Sequence, residues 1–256
     1  MGKNIHFAQL LIALTKKEIK ARYKHAVLGF LWIFINPLIQ MFVIGFVFSF
    51  IFNVKIKNYS VFLFSGLLPW NFFSLALTKA TPRIIWDRTL VKKAKFPRAV
   101  IPLSVVLSHF FHFLISWFIF AIYLIYSPNF KFLSLTFLTN QFLSMILLLV
   151  FTSGFSLLAS CLNVFYRDIN FFIQALVLIW FYATPIIYPL KVIPSEYRIL
   201  FYLNPLSGIF TIIQQGFTTQ KFPTSILLAQ VIFIFCTLLL GIKIFKSKQK
   251  FFDDWL

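Results

Sequence analysis

Six apolar runs, each about as long as a bilayer is thick, follow one another along this chain, and every acidic residue falls outside them. The runs cover about 27–52, 59–80, 99–126, 137–164, 171–190 and 224–245. A bilayer-spanning helix needs roughly 20 apolar residues, so the pattern constrains the chain to an all-α polytopic membrane protein with six transmembrane helices. Composition agrees: 60% of residues are hydrophobic and 12% charged. A soluble domain is nearer 45–50% apolar and about 25% charged.

The lysines and arginines give the orientation. Residues 1–26, 79–98, 165–170 and 243–256 hold 18 of the 24. The positive-inside rule then places both termini in the cytoplasm, which an even number of spans requires. A net charge of +18 would suit nucleic acid, but here it sits in short loops beside the membrane. Topology and anionic lipid headgroups account for it better, so no nucleic-acid partner is expected. No cleavable leader is expected either, because the first run is long and no small-x-small site follows it.

Residues 1–26 read as an amphipathic interfacial helix. Phe7, Leu10, Leu11 and Leu14 share one face, and a basic half with Lys20, Arg22 and Lys24 follows. In the first run, Trp32, Asn36 and Gln40 recur at every fourth position and share a face beside the kink that Pro37 predicts. That face turns either to a cavity or to hydrogen bonds with neighbouring helices. In the second run, Ser65-Gly66-Leu67-Leu68-Pro69-Trp70-Asn71 predicts a broken or locally unwound helix. The loop 79–98 is rich in charge, is bracketed by Pro82 and Pro97, and predicts a short helix on the membrane surface.

In the third run Ser104, Ser108, His112 and Ser116 recur every fourth residue, with His109 one turn before His112. Without a nearby carboxylate or third nitrogen, the two imidazoles read as part of a hydrogen-bonded packing face rather than a metal site. Thr152, Ser156 and Ser160, with Gly154 beside them, predict close helix packing. Cys161 and Cys236 read as small buried hydrophobes. Residues 185–223 are rich in Pro and Gly and hold apolar pieces too short to span, so two re-entrant half-helices between helices 5 and 6 are expected.

Several chemistries are missing from the sequence. No carboxylate lies inside a run, where proton- and sodium-coupled carriers usually keep an Asp, Glu or comparable polar ion site, and no hydrolase cluster or P-loop is present. No catalytic or metal-ligating residue is therefore assigned. Active transport by this chain would draw its energy from a separate subunit. Aromatic residues make up 20% of the chain, including 37 Phe. An aromatic-walled conduit would let an amphipathic polymer slide past without fixed hydrogen bonds. A Phe-rich coding bias would give the same count.

The ordered series Lys17-Glu18-Ile19-Lys20-Ala21-Arg22-Tyr23, Gly29-Phe30-Leu31-Trp32, Asn36-Pro37-Leu38, Gly66-Leu67-Leu68-Pro69-Trp70-Asn71, Lys95-Phe96-Pro97-Arg98, Tyr166-Arg167-Asp168, Thr184-Pro185 and Asn204-Pro205-Leu206 resembles the ABC-2 type permeases that export polysaccharides. The resemblance covers nearly the whole chain as a single transmembrane domain, 1–256. It implies a homodimer with two ATP-binding-cassette ATPase subunits, and the ATP and Mg belong to those partners. It implies a path along helices one and five, which here means Trp32, Asn36, Gln40, Gln174, Phe181, Tyr182 and Tyr188. It further implies a coupling loop at Trp86, Asp87 and Arg88, and an entrance for the lipid headgroup near Lys20, Arg22 and Lys24. Residues 191–223 would form an external gate. Relatives often carry an Arg after Asn-Pro, and Ile212-Ile213-Gln214-Gln215-Gly216 has none.

The expectation is therefore the permease half of an ATP-driven exporter in a bacterial inner membrane. Its substrate would be an undecaprenyl-linked polysaccharide such as O-antigen, with teichoic acid or capsule as alternatives. A passive channel or a membrane glycosyltransferase would be a different class. The loop acids are too few and too scattered for a transferase.

Overall fold

The computed structural model describes residues 2–23, 31–48, 58–93, 96–126, 135–215 and 223–256, with side chains left out at 2–5, 22, 23 and 33. Lys24, Lys95 and Gly216 lie outside the described residues. Among those described, every regular element is helical. α1 (Gly2–Tyr23) precedes α2 (Trp32–Phe46), α3 (Tyr59–Ala80), and the short α4 (Arg83–Trp86) and α5 (Arg88–Lys93). Then come α6 (Val100–Tyr126), α7 (Leu135–Phe165) and α8 (Ile169–Tyr182). α9 (Arg198–Leu203), α10 (Pro205–Gln214), α11 (Thr224–Lys248) and α12 (Phe252–Trp255) complete the chain.

Four stretches are long and apolar enough to cross a membrane: α3, α6, α7 and Thr224–Trp255. The runs expected at 27–52 and 171–190 hold the shorter α2 and α8, of 15 and 14 residues as described. α8 stops well before 190 because Thr184 precedes Pro185, which disfavours helix at 184 and cannot continue the hydrogen-bond ladder. The loop 79–98 holds two short helices, α4 and α5, rather than one. The amphipathic pattern of residues 1–26 gives α1, whose Phe7, Leu10, Leu11 and Leu14 are half-buried. α1 packs against α6.

α3 is the centre of the bundle. It packs against α2, α6, α7, α8 and α10, and Phe62, Leu63, Phe73 and Leu77 are fully buried. The predicted break at Gly66–Asn71 does not occur: α3 runs unbroken through Pro69. Pro69 still has no N–H to give the preceding turn, but neighbouring helices enclose that turn and favour straight packing. Within lipid such packing, rather than exclusion of water, holds helices together.

α11 lies along α7, and their backbones touch. A Cβ on Gly241 would stand 2.5 Å from the carbonyl oxygen of Gly154, and one on Gly154 would stand 2.6 Å from Cα of Leu238. Small residues at that crossing are a steric requirement, as the Gly154 neighbourhood predicted. Cys161 is buried, but Cys236 is exposed on α11, contrary to expectation. Only part of α11 faces protein: Ile234, Thr237 and Gly241 are buried, while Phe235 and Leu239 are exposed.

The broken segment after α8 is tied down by side-chain amides. Asn204 caps α10 by accepting from Leu206 N–H at 3.0 Å, and its amide donates to the Ala183 carbonyl at 2.9 Å. Trp180 Nε1 donates to Asn204 Oδ1 at 2.9 Å. Gln230 on α11 donates to the carbonyls of Tyr202 and Asn204 and accepts from Gly208 N–H. Gln141 and Gln214 donate to the carbonyls of Ile213 and Ile186. Irregular backbone inside an apolar bundle needs such partners. All of α10 is buried, whereas Ile199, Leu200 and Leu203 of α9 are exposed.

Candidate functional site

A cavity of about 740 Å³ opens between α2, α3, α6 and α8. α2 contributes Trp32, Asn36 and Gln40, the face that the four-residue spacing selected. The fourth side is Gln174, Phe181 and Tyr182 from α8. Six of the seven residues expected along a path therefore meet in one space. The seventh, Tyr188, is not among those lining it. Its hydroxyl donates to the Tyr182 carbonyl, and its ring stands edge-on to Phe201 at 6.1 Å.

Sequence reasoning missed two walls. α3 turns Trp70 and Asn71 into the cavity, and Asn71 Nδ2 donates to Gln40 Oε1 at 3.0 Å across the α2–α3 seam. α6 contributes His109, His112 and Ser116. These three read as a packing face in the sequence. They are buried as expected, yet they also border the open space. The signal was present as a polar stripe on α6, but a stripe of that spacing faces either a neighbour or a cavity, and spacing alone does not choose.

The wall has two chemistries. Asn36, Gln40, Asn71 and Gln174 supply amides, each with donor and acceptor atoms, beside the two imidazoles and a hydroxyl. Rings supply the rest. Trp70 stands 5.4 Å from Phe181, which stands 5.2 Å from Tyr182, and Phe72 stacks on Phe113 at 5.5 Å. Among the described lining residues there is no Asp, Glu, Lys or Arg. Such a wall can exchange hydrogen bonds with hydroxyls of either polarity and offer flat faces to C–H groups.

The residues expected at a partner surface lie elsewhere. Trp86 is exposed at the end of α4, Arg88 is exposed at the start of α5, and Asp87 bonds Arg83 Nε at 2.8 Å. Arg83 also bridges Glu18 of α1, and Arg98 bridges Asp253 of α12. Both terminal helices therefore lie at the same end of the bundle as the 83–98 stretch. Lys20 is exposed on α1, the side chain of Arg22 is outside the described residues, and so is Lys24.

A bundle of long apolar helices around an amide- and ring-lined cavity is consistent with a multi-pass membrane protein. The family model described as ABC-2 type transporter matches residues 9–218, and the chain belongs to that family. It is similar to two O-antigen export system permease proteins RfbA of Klebsiella pneumoniae, each 36% identical over 201 residues, covering 78% of this chain and 76% of the relative. It is also similar to the protein of that name from Myxococcus xanthus, 32% identical over 216 residues, 84% of this chain and 82% of the relative.

Proposed function

We propose that this chain is the transmembrane half of an ATP-driven exporter that moves a lipid-linked, O-antigen-like polysaccharide out of the cytoplasm across a bacterial inner membrane. The observation that carries the reading is the cavity, whose amides and rings suit a glycan that must be held weakly and passed on. Contacts that bind too strongly would stall a moving polymer, just as a channel site must release what it binds. The family and the names of its relatives support the same substrate class.

The wall favours O-antigen over teichoic acid. A polymer with a phosphodiester in each repeat would bring an anion past a wall that has no fixed cation among its described residues. Removing a charge from water without a partner costs several kcal/mol, whereas an uncharged hydroxyl loses little when an amide replaces its water.

In this reading two copies pair, with α2 and α8 facing the path. Two ATP-binding-cassette subunits, carrying ATP and Mg, dock on the 79–98 loop at Trp86, Asp87 and Arg88. The charge bias supports a cytoplasmic position for that loop and both termini. Lys20, Arg22 and Lys24 meet the anionic headgroup of the carrier lipid, and 191–223 forms the outer gate of a single domain, 1–256.

Cysteine scanning of α2 tests the path. Single cysteines at 32, 36 and 40 in the assembled exporter should react with small water-soluble thiol reagents, and cysteines at 34 and 42 should not. The background for this scan is Cys236→Ser, because Cys236 is exposed. Labelling at 34 and 42 instead would move the path to another face of α2.

A further inference from the structure

The stretch from Arg83 to Arg98 is held at each end by a different terminal segment. At its start the Arg83 guanidinium bridges Glu18 of α1 and Asp87. At its finish Arg98 donates to Asp253 of α12 and to the carbonyl of Gln249. Between these points Ile84 and Val91 are buried in one cluster with Phe245 and Phe252. Phe252 is fully buried, 5.5 Å from and edge-on to Phe245, and Phe165 at the end of α7 packs on both Phe252 and Trp255.

The use of charge makes this arrangement more than a surface accident. The chain has 24 Lys and Arg and only six acids, and three of those acids sit on Arg83 and Arg98. Arg83, Glu18 and Asp87 are all part-buried, so salt screens that pairing less than an open one, whereas Arg98 keeps 16% of its side-chain surface and its partner Asp253 is 54% exposed. α4 and α5 are four and six residues long, too short to hold a helical shape unaided. A push on them alone would deform them. A push on them when anchored would be passed on.

We propose that the two terminal segments form a frame around the 83–98 stretch, so that this stretch moves as one body with α1 on one side and the α11–α12 end on the other. Glu18, Arg83, Arg98 and Asp253 are then positioning residues for coupling. Through Glu18, displacement by the ATPase reaches α1, and through Arg98 it reaches the helices packed on α7. The proposal rests on reading 79–98 as the ATPase contact.

The test uses the purified complex with its ATPase in vesicles and measures ATP hydrolysed per polymer exported, together with ATPase recovered. The variants are Glu18→Gln, Arg98→Glu, Asp253→Arg, and the last two combined. Each single variant should raise the ratio about fivefold, the factor that roughly 1 kcal/mol gives, with ATPase recovery near wild type. The combined variant should recover at least half of the loss, because the opposite charges face each other again. Unchanged ratios overturn the proposal, and so does a parallel fall in complex yield and export at constant ratio, which marks a merely structural bridge. Trp86→Ala with Arg88→Ala reports on the contact itself. A wild-type ratio there removes 79–98 from the ATPase interface and the frame with it, while a raised ratio there beside unchanged Arg98 variants overturns the frame alone.

Discussion

Asn36 shows how one side chain defines the wall. It is an uncharged amide on α2, at the edge of the cavity and one residue before Pro37. An amide can donate to one hydroxyl and accept from the next, so under the proposed function a sugar would meet no fixed preference there. Asn36→Ala should lower export by less than about threefold, since Gln40, Asn71 and Gln174 offer the same chemistry, and a lost neutral hydrogen bond is worth about 0.5–1.5 kcal/mol. Asn36→Glu should be far worse. A carboxylate at the centre of a membrane-spanning helix costs about 2.5–3.5 kcal/mol, and the described lining residues here hold no Lys or Arg to pair it. Export assays on protein matched for membrane insertion check both. Equal losses from Ala and Glu would mean that wall charge does not matter. At this scale the sequence was readable where spacing and resemblance agreed, as for Trp32, Asn36 and Gln40. His109, His112 and Ser116 were not readable, because a polar stripe on a helix is the same string whether a neighbour or a cavity lies opposite. Trp70 and Asn71 were hidden by the Gly-Pro-Asn signal around them, which read as a break. Tyr188 follows the end of α8, and the turn at Pro185 carries it away from the wall.

Helix positions follow from apolar length, and helix ends and breaks depend on what packs around them. α6, α7 and α11 begin and end within a few residues of their apolar runs. α3 crosses Gly66 and Pro69 without interruption because five other helices enclose it, and enclosure offsets a lost hydrogen bond. Two element-scale changes test this view of packing. Gly241→Ala puts a methyl group 2.5 Å from the Gly154 carbonyl oxygen, a contact that only backbone movement can relieve. It should lower resistance to denaturation in detergent by about 1–3 kcal/mol, the usual range for overpacking. A variant as stable as the parent would show that α7 and α11 can separate freely. Gln230→Leu removes a side chain that serves Gly208 N–H and the carbonyls of Tyr202 and Asn204. A loss of about 1–3 kcal/mol is expected for the groups left buried without a partner. Hydrogen exchange at Gly208 should rise in that variant, and unchanged protection would mean the amide does not hold α10 in place.

At the scale of the whole molecule, form and charge are divided along one axis. One end holds both terminal helices, the short α4 and α5, and the ion pairs on Arg83 and Arg98. The middle holds the cavity. α9 and α10, tied by Asn204 and Gln230, follow the far end of α8. Under the proposed function the charged end would meet the ATPase and the load would pass through the centre. It was legible in outline from the distribution of lysine and arginine, because short charged loops and apolar runs alternate in the sequence. What the sequence could not supply was which side chains from distant runs would face one another. That depends on helix rotation within the bundle, and packing partners set rotation more than any local propensity does. The most direct test of the account places the purified chain, with and without its ATPase subunits, in vesicles loaded with a lipid-linked neutral glycan. With ATP, glycan should cross only when both proteins are present, and the chain alone should hydrolyse no ATP. Equal glycan movement without the ATPase, or ATP hydrolysis by the isolated chain, would contradict the account.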